Sequence, residues 1–181
     1  MTYDIIDGPL PAGWKEVKAV WFDANQCGTS EVKPLKEDGA FTVTSKPWTP
    51  NFDGDIIGVG GHLHDGGVDV QIMSSTDAKA CTSVAKYGES PEYVFKATMR
   101  MGAGMNYAEK HISSMSQCYS SSPTLATKKL ARSQVWVLKA NYDYSKFAGN
   151  KGENGKQEGI MAIAIMYVAV PAAGAAPKGG R

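Results

Sequence analysis

Short apolar runs, broken by Gly, Pro, Asn and Asp, recur along the whole chain. Residues 17–22 (VKAVWF) are apolar, β-branched and aromatic, and residues 41–45 (FTVTS) alternate. Residues 55–64 form a longer run that contains Gly58, Gly60 and Gly61. In residues 68–73 (VDVQIM), Val68, Val70 and Ile72 share one face while Asp69 and Gln71 share the other, as in a strand with one side buried. Tyr93 to Phe95 is a short candidate strand, and residues 134–142 and 159–170 complete the set. Helical pattern is scarce. Residues 75–86 (STDAKACTSVAK) are expected to hold a short helix or turn, residues 127–131 are too short to assign, and residues 149–156 (GNKGENGK) read as a polar hairpin loop. This spacing predicts one all-β domain, a jelly roll or β-sandwich, over residues 1–171. Residues 172–181 have too little apolar bulk to pack and are expected to form a flexible tail.

Composition narrows the function. A chain of 181 residues suits one domain, and 43% hydrophobic with 20% charged residues is the balance of a globular protein. A net charge of +1 gives no overall field to draw in nucleic acid or an anionic membrane. Lys128, Lys129 and Arg132 are the densest basic cluster and read as a solvated turn. The apolar run 159–170 (GIMAIAIMYVAV) is shorter than the roughly 20 residues that span a bilayer, so no transmembrane segment is expected. It reads instead as a buried strand ended by Pro171. The opening MTYDIID lacks a basic segment followed by an apolar one, so the chain is expected to be intracellular or a mature secreted form. Cys27, Cys81 and Cys118 match no zinc spacing, and a Cys81–Cys118 bridge is one permitted pairing.

The candidate chemistry lies in the histidines, of which there are three: His62, His64 and His111. On a strand, residues i and i+2 point to the same face about 6.5–7 Å apart, so a His-x-His pair can direct two imidazoles at one ion. Leu63 between them would face the core, and residues 65–67 (DGG) turn the chain at once into the next strand. Imidazole suits copper, zinc, iron and nickel. Further ligands must come from elsewhere, either His111 or a methionine. Met161 lies on the terminal strand, whereas Met99, Met101, Met105 and Met115 flank His111. A thioether beside two imidazoles favours copper, Cu(I) above all. No nucleophile elbow or phosphate-binding loop is present.

Residues 61–67 (GHLHDGG), 111–118 (HISSMSQC) and 159–168 (GIMAIAIMYV) resemble the catalytic-copper domain of the copper type II, ascorbate-dependent monooxygenases. The likeness is closer still to fungal and plant relatives of the stress-up-regulated nodulin type. The resemblance implies one copper on His62, His64 and Met161 and a small organic substrate. His111 has no counterpart in that ligand set. The full monooxygenases carry two such domains, each with a copper, whereas this chain has room for one. A one-copper oxidase or oxygenase, a copper-binding protein and a site reused for non-redox chemistry therefore all stand open.

Two rival readings keep a β-sandwich. A cupin-like metal enzyme would use His62, His64, Asp69 and His111, although the second cupin motif is missing before His111. A metal-free ligand-binding or catalytic sandwich, such as a small-molecule cyclase or isomerase, would use the His pair as acid and base. Trp14, Trp21, Trp48 and Trp136 could line its pocket.

Overall fold

The computed structural model describes residues 2, 5–9, 11–26, 28–94 and 110–171. Within them the strands are β1 (Lys15–Asp23), β2 (Glu31–Val32), β3 (Ala40–Thr44), β4 (Gly54–Leu63), β5 (Gly67–Ser74), β6 (Asp77–Tyr87), β7 (Ile112–Met115), β8 (Gln117–Tyr119), β9 (Lys129–Leu130), β10 (Trp136–Asp143) and β11 (Ile160–Pro171). The only helical element among the described residues is a single 3-10 turn at Pro91–Tyr93. One sheet runs β1-β11-β4-β8, with β2 on β11 and β9 on β4. The other runs β3-β10-β5-β6-β7, and the pairing is antiparallel throughout. The protein is an all-β sandwich of two antiparallel sheets.

The core lies between the sheets. Strand β11 turns Ile160, Ala162, Ala164, Met166, Val168 and Val170 inward, where they meet Val70 and Ile72 of β5 and Leu138, Ala140 and Tyr142 of β10. Strand β4 contributes Ile56, Val59 and Leu63, and the change of parity after Ile56 has a local cause. Between β4 and β11 the register moves from Val168↔Ile56 to Tyr167↔Gly58, so Ile57 is an extra residue. This bulge shifts the alternation by one, and Val59, Gly61 and Leu63 then face inward while Gly58, Gly60 and His62 face outward. Cys81 of β6 and Cys118 of β8 are bonded across the two sheets. Both are buried, and bridges of this kind persist in oxidising surroundings. Cys27 lies outside the described residues.

Several sequence expectations change. Residues 75–86 are not helical; most of them form β6. Their inward positions include Ala80, Cys81 and Ser83, small residues that mute the alternation, and pairing with β5 on one side and β7 on the other decides the state. The turn at residues 65–67 does not close a hairpin, because β4 and β5 belong to different sheets. Residues 149–156 likewise join β10 to β11 across the sandwich, although Lys151 and Gln157 bridge within the loop. Tyr93 ends the 3-10 turn, Val94 makes an isolated bridge with Lys110, and Phe95 lies outside the described residues, as do residues 172–181. Of the tryptophans, Trp136 is core, Trp48 is half-buried against Phe22, and Trp14 and Trp21 are exposed.

Candidate metal centre

His62 and His64 stand at the end of β4, just before the chain turns. Leu63 between them is buried in the core, so the two imidazoles are carried on the outer face of the β1-β11-β4-β8 sheet. Their ring centroids lie 5.8 Å apart with an interplanar angle of 89°. Two imidazoles each about 2 Å from one ion through a ring nitrogen place their centroids about 5–6 Å apart. The observed separation falls within that range.

The protonation of His64 is set by its neighbour. Its Nδ1 lies 2.7 Å from the carbonyl oxygen of Gly159. A carbonyl can only accept, so Nδ1 carries a proton, and the tautomer of the neutral ring is the one with its lone pair on Nε2. This is the arrangement that orients a ligating histidine. At His62, desolvation of the ring holds the pKa below the ordinary imidazole value, and repulsion from His64 adds to the effect. Both causes favour the neutral form that a metal needs.

Met161 precedes the inward-facing Ala162 on β11. Ala162 of β11 is opposite Leu63, and both point inward. The β4–β11 ladder ends at that pair, and Met161, the next residue of β11, pairs with Glu31 of β2; strand alternation turns its side chain to the outer side. A buried tyrosine ties the two strands together here. The Tyr142 hydroxyl donates to the Met161 carbonyl at 2.6 Å and accepts from the His64 backbone N–H at 3.2 Å. Burial pushes the Tyr142 phenol well above its usual pKa, so it remains a donor. Nothing in the sequence near residue 142 signals this role.

His111 has another partner. Its Nδ1 bonds the carboxylate of Asp65, which is buried. Asp65 also accepts from the Ile112 backbone N–H at 2.9 Å and from Asn150 Nδ2 at 3.2 Å. The sequence reading assigns Asp65 to the turn; in the fold it also fastens the turn to residues 111–112 and to the β10–β11 loop. His111 and His64 both line an open cavity of about 740 Å³, along with Glu31, Glu92 and Glu158. Among the described residues no three His, Cys, Asp or Glu side chains gather as a metal group. His62, His64 and His111 thus do not converge as a trio, and neither does the cupin-like set. Asp69 sits on β5 in the other sheet, where its carboxylate accepts from Asn141 Nδ2 at 2.7 Å. Met115 lies on β7, whereas Met99, Met101 and Met105 lie outside the described residues.

Fold and geometry together define an antiparallel β-sandwich that carries two neighbouring imidazoles at one end of β4. The chain belongs to the Stress up-regulated Nod 19 family, whose profile matches residues 15–171. It is 27% identical over 192 aligned positions to the "probable copper-dependent oxygenase M1" of Phoma sp., covering 100% of this chain and 44% of that protein. It is also 27% identical to the "probable copper-dependent oxygenase clz3" of Cochliobolus lunatus, over 88% of this chain and 48% of that protein. The chain spans less than half the length of the curated relatives it matches. No solved structure matches it.

Proposed function

We propose that this chain is the copper-holding domain of an oxygenase that acts on a small organic molecule, with one copper on His62, His64 and Met161. The observation that carries the reading is the shared outer face of the two imidazoles, with His64 held by Gly159 so that Nε2 is the ligating atom. Two imidazoles and a thioether form a soft donor set that suits copper better than zinc. When bound, copper would supply the reductive activation of dioxygen, one oxygen atom entering a C–H bond and the other leaving as water, with two electrons from an external reductant. The protein's own part is positional. Gly159 fixes the tautomer of His64, Tyr142 holds the ends of β4 and β11 in register, and the outer face leaves His62 open to an incoming molecule. The names of the relatives support the choice of metal and reaction class.

Copper titration of the purified chain with elemental analysis and EPR tests the reading. The expected result is one copper per chain, with a nitrogen-rich Cu(II) signal lost in the His62→Ala, His64→Ala double variant. Met161→Leu should weaken Cu(I) more than Cu(II). Wild type that binds copper no better than the double variant refutes the reading. Loss of copper in His111→Ala but not in Met161→Leu would transfer the third ligand to His111.

A further inference from the structure

Farther down β4, on the face that carries His62, lies a groove. Gly58 and Gly60 precede His62 at alternate positions, so all three face the same way, each step covering about 6.5–7 Å. The flanking strands supply walls. Gly58 is opposite Tyr119 on β8 and Tyr167 on β11, while Gly60 is opposite Gln117 and Ile165. The groove over this glycine floor has a volume of about 400 Å³. Its walls stand two strand spacings apart, about 9–10 Å at Cα. That is the width of one ring or chain with van der Waals contacts on each side.

Packing does not explain both glycines of the pair at residues 60 and 61. A Cβ at Gly61 would come within 3.0 Å of Ser83 Oγ and Val70 Cγ2 in the core. A Cβ at Gly60 would meet only the Gln117 side chain, its nearest atom Cγ at an ordinary 3.6 Å. Gly60 has no left-handed backbone either. What a side chain there would fill is the groove.

The lining has no charged residue, and its polar side chains are Gln117, Tyr119 and Tyr167. Tyr119 donates its hydroxyl hydrogen to Gln117 Oε1, so that acceptor is already engaged. A charged ligand would lose its hydration here without a counter-charge, whereas a neutral one would not. The large side chains that line it are exposed, with Tyr119 at 48%, Tyr167 at 49% and Val17 at 54%.

We infer that this glycine-floored groove is the substrate channel of the copper site. It takes a neutral, mainly apolar molecule with a flat or narrow extended part that lies over Gly60, beside the Tyr119 ring that covers Gly58, and presents its reacting end to His62. The inference rests on the oxygenase reading, and the choice of occupant rests on the uncharged lining and on the place of Gly58 and Gly60 on the same outward face of β4 as His62. The cavity beside His64, with Glu31, Glu92 and Glu158 on its walls, has the opposite character and would suit a cation.

The test uses the full chain without metal, with copper uptake measured separately on the same variants. Backbone amide shifts are followed by NMR during titration with 4-phenylbutan-1-ol, and with 4-phenylbutylamine and 4-phenylbutyrate as charged counterparts. Shifts should centre on Gly58, Gly60, Tyr119 and Tyr167, and the alcohol should bind about tenfold tighter than either ion. Gly60→Val should weaken the alcohol by at least about tenfold while leaving copper uptake unchanged. Tyr167→Ala, which removes a wall without adding bulk, should weaken it as well. The inference is overturned by shifts that map to the acidic cavity, by preference for the amine, by the absence of shifts, or by wild-type affinity in both variants. It is equally overturned if sedimentation shows a dimer, broken by Gly60→Val, that covers this face. Groove binding without copper uptake would sink the oxygenase reading and the channel's link to copper, and would leave the groove as a site for neutral apolar molecules.

Discussion

Replacing Tyr142 by Phe removes one oxygen atom from beside the candidate metal centre. The ring stays, stacked on Phe41 with centroids 5.3 Å apart, so core packing changes little. What is lost is the hydroxyl that donates to the Met161 carbonyl and accepts from the His64 N–H. Tyr142 is 1% exposed, so water has no easy route to replace it. Each polar group orphaned in a buried site costs about 1–3 kcal/mol. With two groups affected and some relaxation, a loss of about 2–4 kcal/mol is expected. For a domain of this size, that corresponds to a fall in Tm of roughly 5–15 °C. The same hydroxyl holds the backbones of two proposed ligands, so copper affinity should fall by about 10–100-fold, the usual range for groups that orient ligands. Thermal unfolding of the metal-free protein and copper competition against a chelator measure the two effects separately. A variant with wild-type Tm would show that the hydroxyl is dispensable to the fold. Wild-type copper affinity despite a lowered Tm would refute the claim that Tyr142 positions His64 and Met161.

Two further outcomes are expected. Opening the Cys81–Cys118 bridge, which closes a separation of 37 residues, should cost about 4 kcal/mol, read as a lower urea midpoint in Cys118→Ser than in the oxidised wild type. An unchanged midpoint would mean that the bridge adds nothing to the cross-sheet packing. In metal-free protein, the NMR titration of His62 should have its midpoint below 6.5. Because the folded value is lowered, the His62 contribution to stability is present above pH 6.5 and is lost as the pH falls from there through the folded value. His64→Ala should raise the midpoint, since it removes the repulsion that is the smaller of the two causes; a midpoint at or above 6.5 in the wild type would contradict the burial argument.

Much of the fold was legible because strand periodicity is local. The run at residues 55–64 marks β4, the alternation at 68–73 marks β5, and the apolar stretch ended by Pro171 marks β11. The His-x-His pair stood out for the same reason, since two residues apart on a strand means one face. Residues 75–86 were misread because Ala80, Cys81 and Ser83 are small, and only their pairing partners on β5 and β7 reveal a strand.

The sequence by itself determined that the protein is all-β, that Leu63 faces inward and that His62 and His64 share a face. Tertiary structure alone decided how the rest of the site is assembled. It tied the backbones of Met161 and His64, 97 residues apart, to one Tyr142 hydroxyl and gave His64 its tautomer through Gly159. It also engaged His111 with Asp65, 46 residues away, and passed the chain to the other sheet at residues 65–67. The physical reason is that side-chain direction follows from the geometry of one strand, whereas the neighbour across a sheet, and the hydrogen bond that fixes a ring, depend on which distant strand pairs there and in what register.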